Sequence, residues 1–85
     1  MLYRIYTENV NHLETVKRIK SYFPGGFTLI TGIGYWEGGE EHSMIIDIMT
    51  DNEKHVYDLA WDIMKENKQK SVIVFGITGK VKIIQ

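Results

Sequence analysis

Apolar and polar residues alternate along two neighbouring segments in the middle of the chain, and this pattern predicts two β-strands. In the first segment, residues 27–36, successive side chains point to opposite faces, and both sets are mostly apolar or glycine. We therefore expect one face to meet helices and the other to meet a neighbouring subunit. Ser43 to Met49 is the predicted return strand, and Glu37 to Glu41 is a glycine-rich reversal between the two.

Shorter apolar segments near both ends of the chain predict further strands. Leu2 to Thr7 carries a single charge, and Ser71 to Ile77 is rich in β-branched residues, as buried strands are. Thr78-Gly79 predicts a turn after the second of these segments. Within residues 80–84, the alternation of Val81 and Ile83 predicts a short extra strand.

Two segments between the strands carry apolar residues at the three- to four-residue steps of an amphipathic helix. In the first helix the predicted stripe consists of Leu13, Val16 and Ile19, then Tyr22 or Phe23. Asn9 or Asn11 is its candidate N-cap, and Asn11 has Glu14 at the spacing of a capping box. Pro24-Gly25-Gly26 ends this helix.

The second helix matches the helical template at each expected position. Its apolar residues are Val56, Leu59, Ala60, Ile63 and Met64. Thr50 with Glu53 fits a capping box at the start, and residues 67–70 end the helix.

The resulting order β-α-β-β-α-β predicts a single domain over residues 1–85 of the α+β class, a ferredoxin-like sandwich. Its antiparallel sheet would carry both helices on one face. A chain of 85 residues buries a small share of its surface, yet 44% of this one is hydrophobic. We therefore expect copies of the chain to cover the bare face of the sheet, as a homo-oligomer.

Charge and cysteine usage exclude several classes of protein. The formal net charge of −1 lacks the basic excess of a nucleic-acid binder, so we expect no nucleic-acid partner. No apolar run reaches membrane-spanning length, and Met1 to Arg4 leads directly into a strand pattern, so we expect a cytoplasmic protein without a membrane partner. The absence of cysteine excludes disulfides and thiolate–metal sites.

The histidines and the glycine pattern predict neither a metal site nor a phosphate loop. His12, His42 and His55 lack a carboxylate or histidine partner at metal-binding spacing, so we expect ordinary surface side chains, and no metal or cofactor. His42 and Ser43 are adjacent in a strand and point to opposite faces, which argues against a catalytic pair. The Gly32-x-Gly34 motif lacks the helix and the lysine that a phosphate loop requires.

Candidate chemistry concentrates at the reversal between the central strands. Glycines beside Trp36 either leave a shallow hollow bounded by the indole or simply allow the strand to coil. Two aromatic and three acidic residues there have the composition of a site for an onium cation: Tyr35, Trp36, Glu37, Glu40 and Glu41. The simpler interpretation is a solvated acidic turn. Gln69, after the second helix, is by the same reasoning an ordinary exposed cap.

A longer motif spans the same reversal. The run from Gly34 to Ser43, G-Y-W-E-G-G-E-E-H-S, resembles a G-Y-W-x-G-x-x-E-x-S segment of phage-encoded enzymes that degrade S-adenosylmethionine (SAM). These enzymes were long called SAM hydrolases and are now regarded as SAM lyases. The opening strand, the Phe27-Thr28 pair and the Asn67-x-Gln69-x-x-Val72 segment after the second helix resemble the same family, which includes relatives acting on the conjugate SAM–AMP.

The resemblance implies a ferredoxin-like homotrimer of the PII type, with SAM in the cleft between neighbouring subunits. By position, Glu41 would be the functional acid, with Glu40 as the competing placement, and Gln69 would be the functional amide. The residues that would bind substrate are Gly34, Tyr35, Trp36, Glu40, Ser43 and Lys70. The family often has an acidic residue at the position of Lys70, and a cation there would suit a substrate with an extra phosphate, such as SAM–AMP.

In the family reaction the carboxylate of the substrate attacks its own γ-carbon, expels methylthioadenosine and leaves homoserine lactone. The resemblance thus implies no metal, cofactor or protein nucleophile. Glu41 would hold the ammonium or the sulfonium, and Gln69 would orient the folded methionine arm or the adenosine. If the reaction were instead a hydrolysis, Glu41 would have to act as a general base toward water.

Two other functions stay open. One is a non-catalytic, PII-like trimer that binds an adenine nucleotide, although PII-type sensors usually carry a long loop where this chain has a short reversal. The other is a small phage-type protein that blocks a host factor through its exposed sheet.

Overall fold

The strands form one antiparallel sheet in the order β2-β3-β1-β4-β5, as a computed structural model of the chain shows for residues 1–76 and 81–85. The elements are β1 (Leu2–Glu8), α1 (His12–Tyr22), β2 (Thr28–Trp36), β3 (Gly39–Met49), α2 (Glu53–Glu66), β4 (Val72–Gly76) and β5 (Val81–Ile84). This arrangement confirms the predicted ferredoxin-like fold and the extra strand β5. The predicted turn at Thr78-Gly79 and the last predicted residue of β4, Ile77, lie outside the described residues.

One face of the sheet packs against both helices and forms the core. The sheet contributes buried side chains of Tyr3, Ile5, Met44, Ile46, Ile48, Val72 and Val74. The stripe predicted for α2 is confirmed, because all five of its residues are buried. Each fully buried aliphatic side chain contributes about 1.5–3 kcal/mol relative to an exposed one. The central strand β1 pairs with β3 on one side and with β4 on the other, and α2 packs on its buried face.

The stripe predicted for α1 is wrong at its first position, since Leu13 is 75% exposed, while Thr15 and Ile19 are buried. The capping box is also wrong: Asn11 has the left-handed φ of 50° and its side chain makes no capping hydrogen bond. The backbone N of Asn9 donates to the backbone O of His42 at 2.8 Å. This hydrogen bond fixes the chain to β3 just before α1 begins. We attribute the orientation of α1 to it, because it outweighs the weak apolar periodicity of the helix.

The start of α2 also differs from the predicted one. Asn52, not Thr50, is the N-cap, and its Oδ1 accepts from the backbone N of His55 at 3.1 Å. The hydroxyl of Thr50 instead accepts from the backbone N of Asn52 at 3.1 Å. The side chain of Glu53, the first helical residue, accepts from the Tyr3 hydroxyl at 2.9 Å, so it is used in tertiary packing rather than in a capping box.

The reversal between the central strands is tighter than predicted. Glu37 and Gly38 have φ of 50° and 78°, and a positive φ at both central residues is the signature of a two-residue type I′ turn. Consequently β3 begins at Gly39, and Glu40 and Glu41 lie within a strand instead of a loop. Their side chains must therefore alternate between the two faces of the hairpin.

The sheet face without helices is largely apolar and exposed in the single chain. Its exposed apolar side chains are Ile30, Trp36, Met49, Phe75, Val81 and Ile83. The one ion pair found on this face within the described residues joins Arg4 and Asp47 through two contacts of 2.7 Å. We call this surface the outer face. No helix in the described part of the chain is long and apolar enough to cross a membrane.

A candidate active site at one end of the sheet

A cleft of about 490 Å³ opens where the end of β1, the β2–β3 hairpin and the segment after α2 meet. Its acidic side carries Glu8, Glu37 and Glu41, together with Trp36 and Ser43. Its other side carries Lys68, Gln69, Lys70 and Ser71, and Tyr6, Thr7 and Ile73 complete it. Six of the residues singled out in the sequence thus line one cleft: Trp36, Glu37, Glu41, Ser43, Gln69 and Lys70.

The alternation of side chains along β3 separates the two candidate acids. Glu41 lies opposite Gly34 and faces the cleft, whereas Glu40 lies opposite Tyr35 and is exposed on the other face of the hairpin. Tyr35 is 70% exposed. Neither Glu40 nor Tyr35 lines the cleft, so in the single chain the structure does not bring these two predicted binding residues to it.

Gly34 lies where the side chains of Trp36, on the same strand, and Ser43, on the neighbouring strand, approach closely. A β-carbon built at this position would lie 2.5 Å from Ser43 Oγ and 2.6 Å from Trp36 Nε1, whereas at Gly32 it would meet nothing within 4 Å. Gly34 therefore leaves the space that the indole occupies beside Ser43. The space over Gly34 is thus filled by the Trp36 ring and the Ser43 hydroxyl, whereas the space over Gly32 is open.

Two carboxyl groups lie close together on the acidic side. Glu8 pairs with Ser43 in the β1–β3 register, two residues from Glu41 on the same face. Burial raises the pKa of Glu41, and the charge of Glu8 and a hydrogen bond with it raise this pKa further, while a hydrogen bond with Trp36 lowers it. A cation bound here would be attracted by both carboxylates and would offset the repulsion between Glu8 and Glu41.

The position of Gln69 follows from the way α2 ends. Lys68 N donates to Lys65 O at 3.2 Å and Gln69 N donates to Met64 O at 2.9 Å, the two bonds of a Schellman motif. Lys68 adopts the left-handed φ of 55° that this motif requires. The chain thereby turns back toward β1, where Gln69 Oε1 accepts from the hydroxyl of Thr7 at 2.6 Å.

Sequence reasoning missed Thr7, Glu8 and Lys68. Thr7 and Glu8 end the central strand, and their signal was available in principle: a polar pair follows an apolar strand whose end meets the hairpin in this fold. Lys68 carried no signal, because a left-handed residue after a helix is usually glycine.

The three histidines differ in their surroundings, and His55 is not an ordinary surface side chain. The ring of His55 packs against Tyr22 and Phe23, and its Nε2 lies 2.9 Å from Tyr22 O. His12 and His42 are exposed. In residues 1–76 and 81–85 no group of three or more His, Cys, Asp or Glu side chains is placed to hold a metal ion.

Chemically, the cleft separates opposite charges. Carboxylates and an indole face suit a cationic centre on one side. Lysines and the Gln69 amide suit an anionic or hydrogen-bond-accepting group on the other. The arrangement fits a zwitterionic ligand of moderate size.

Comparison with known proteins gives a structural likeness and no sequence match. A scan against models of protein families finds none that matches, and neither does a search of curated proteins. Among solved structures, a chain of a phage SAM lyase in its apo state matches with a TM-score of 0.79. The match covers 99% of this chain and 87% of that chain at 20% sequence identity. At this identity the likeness shows the fold.

Proposed function

We propose that the protein is a lyase that degrades SAM, or a SAM-derived nucleotide such as SAM–AMP, to a methylthioadenosine product and homoserine lactone. The observation that carries the proposal is that Glu41 and Gln69, which are distant in sequence, line one cleft together with Trp36. The fold that this chain shares with a phage SAM lyase supports it. The enzyme would act in the cytoplasm of a bacterial host.

The charge separation across the cleft fits the proposed reaction. The sulfonium or ammonium of the substrate would lie between Glu41 and the face of Trp36, while the opposite side would hold the remainder of the methionine arm. With the arm folded, the substrate carboxylate attacks its own γ-carbon, and the C–S electron pair leaves with methylthioadenosine. The protein contributes proximity, which is worth several kcal/mol, and a partly water-excluded site in which the two charges neutralise each other.

Two lysines bear on the choice of substrate. Lys68 and Lys70 both line the cleft from the segment between α2 and β4, whereas Glu37 and Glu41 reach it from the β2–β3 hairpin. A phosphate group would be bound by two such cations, whereas SAM itself offers only one carboxylate to them. We therefore propose that SAM–AMP is degraded at least as well as SAM.

The outer face bears on the assembly. Its exposed apolar side chains form a surface continuous with the cleft, because Trp36 and Ile73 border both. Exposed apolar surface of this extent marks an interaction site. We propose that outer faces pack together in a homotrimer and that the cleft lies at the subunit boundary. The partner would then exclude water from the open side of the cleft.

The test is to incubate the protein with SAM and with SAM–AMP and to separate the products by chromatography. Methylthioadenosine or its AMP conjugate, with homoserine lactone, is the expected outcome. Homoserine without a lactone intermediate would indicate hydrolysis with Glu41 as the base. No product from either compound would overturn the proposal, and tight binding without turnover would identify a PII-like binding module instead.

A further inference from the structure

The side-chain amide of Gln69 has a defined orientation in the cleft, with its oxygen facing the protein. Its Oε1 accepts two hydrogen bonds, from Thr7 Oγ1 at 2.6 Å and from Asn67 Nδ2 at 3.1 Å. Among residues 1–76 and 81–85, no protein group accepts a hydrogen bond from its Nε2. The two N–H groups of this amide are therefore available to a ligand.

Thr7 is placed to maintain this orientation. It is 5% exposed on the central strand, and the other hydrogen bond of its hydroxyl, to Glu8 O, is long at 3.5 Å. In the reversed orientation Nε2 of Gln69 would face Nδ2 of Asn67, so that two donors would oppose each other. After reversal the Thr7 hydroxyl would accept from Nε2, and within the described residues its own proton would then have only Glu8 O, 3.5 Å away, to donate to, which is unfavourable at a buried position.

The surrounding charges indicate what the outward N–H groups bind. Lys68 and Lys70 flank Gln69 in the sequence and line the same cleft. Glu8 lies next to Thr7 at the end of β1, and Glu37 and Glu41 reach the cleft from the β2–β3 hairpin on the far side of β1. A cationic centre would meet two ammonium groups and two N–H donors on the Gln69 side, and an anionic oxygen would be favoured by all of them.

We infer that Gln69 Nε2 donates to an anionic oxygen of the ligand, and that Thr7 is a positioning residue that keeps Gln69 a donor. In SAM this oxygen belongs to the carboxylate of the methionine arm, and in SAM–AMP a phosphate is the other source. A donor on one carboxylate oxygen leaves the second oxygen to attack the γ-carbon. The inference rests on the proposed function for the identity of the ligand.

Calorimetry with ligands that do not turn over tests the inference separately from catalysis. The probes are sinefungin, which keeps the carboxylate of SAM, and decarboxylated SAM, which lacks it. Gln69→Glu preserves the shape and the inward acceptor but removes the outward donor, so sinefungin should bind about tenfold more weakly or worse. Decarboxylated SAM should bind the same variant at least as well as it binds the wild type.

Thr7 has its own matched pair of variants. Thr7→Val removes the hydroxyl at constant shape and should weaken sinefungin about threefold or more, whereas Thr7→Ser keeps the donor and should bind as the wild type does. In protein that already carries Gln69→Glu, adding Thr7→Val should not weaken sinefungin binding further, because Thr7 acts only by orienting the Gln69 amide that this variant lacks. A purely structural role of Thr7 would instead weaken both probes and add to the effect of Gln69→Glu.

A parallel comparison of AMP with adenosine identifies the source of the anion. If Gln69→Glu weakens the binding of AMP but not of adenosine, while sinefungin binding is unaffected, the oxygen is a phosphate oxygen.

Equal losses for sinefungin and decarboxylated SAM, with no difference between AMP and adenosine, would overturn the inference while leaving the lyase proposal intact. Wild-type protein that binds none of these probes would overturn both. If Thr7→Val does not fold, Thr7→Ser and Gln69→Glu decide the matter.

Discussion

Glu40 and Glu41 are consecutive in the sequence yet lie on opposite faces of β3, with Glu41 in the cleft and Glu40 beside Tyr35 on the other side. The two-residue turn at Glu37 and Gly38 produces this separation, because it starts β3 before the two acids. The chain thus supplies an internal control: two acids with nearly the same sequence context and different surroundings.

Exchanging each of these acids for its amide is therefore the first prediction. Glu41→Gln should reduce the proposed degradation of SAM by about 100-fold or more, because the cleft would lose the charge that we propose stabilises the reacting cation. Glu40→Gln should stay within about twofold of the wild type, since an exposed charge contributes little. The measurement is the initial rate of methylthioadenosine release. A larger loss in Glu40→Gln than in Glu41→Gln would contradict the assignment.

The stability of Glu41→Gln should change in the direction opposite to its activity. The pKa of Glu41 is raised in the folded state by burial and by Glu8, so the folded protein binds this proton more tightly than the unfolded chain does. The protonated Glu41 carboxyl therefore stabilises the folded state at pH values below the unfolded pKa of about 4.3. This stabilisation is lost as the pH rises through the folded pKa. At pH 7 the ionised acid therefore costs stability, and Glu41→Gln should unfold at a higher temperature than the wild type.

The control for this second prediction is the same measurement in acid. Near pH 4 and below, the wild-type carboxyl is protonated as well, so the advantage of the amide should disappear. Thermal unfolding followed by circular dichroism at both pH values gives the comparison. A variant that is less stable than the wild type at pH 7 would show that Glu41 serves the fold rather than the cleft.

The third prediction concerns the space beside the indole. Gly34→Ala should displace Trp36 or Ser43 and cost about 1–3 kcal/mol of unfolding free energy, as overpacking does. Gly32→Ala, on the same strand and face, has open space and should cost little. Urea unfolding measures both, and the fluorescence of Trp36 in a Trp61→Phe background reports the movement of the ring. Identical fluorescence in the two variants would contradict the close approach.

The fourth prediction concerns the outer face. Phe75→Glu places a charge among its apolar side chains and should convert the proposed trimer to monomers, with a loss of SAM degradation at the same protein concentration. Leu13→Glu is the matched control, because Leu13 is exposed on α1, away from the sheet. Sedimentation velocity measures the assembly. A wild-type monomer, or a Phe75→Glu trimer with full activity, would contradict the subunit-boundary site.

Apolar periodicity predicted an element correctly where burial against one neighbouring element determines the pattern. The α2 stripe depends on burial against the sheet, and all five of its residues are buried, whereas β2 forms as predicted but is an edge strand with most of its side chains exposed. Periodicity did not determine the phase of α1, where a backbone hydrogen bond from Asn9 to β3 competes with weak amphipathicity. The sequence did give Asn11 as one of two candidate N-caps, which the structure confirms, but it missed the Asn52 cap, because the choice of cap depends on how the chain enters each helix.

The candidate site was only half accessible from sequence for a related reason. Trp36 and Glu41 were candidates from the composition of the reversal, the family resemblance added Gln69 as the functional amide, and alternation along β3 could then have separated Glu41 from Glu40. The other half comes from tertiary neighbours. Thr7 meets Gln69 only because α2 ends in a Schellman motif with a lysine at its left-handed position, which no local propensity favours.

The central position of β1 ties the chemistry of the cleft to the alignment of the sheet. Thr7 and Glu8 are neighbours on one strand, and each serves a different side of the cleft. A slip of β1 by one residue would exchange the hydroxyl and the acid while also turning Ile5 out of the core. A misaligned sheet would thus lose the proposed catalysis and stability together, so mutations that merely loosen strand pairing should reduce the proposed lyase activity before the protein unfolds.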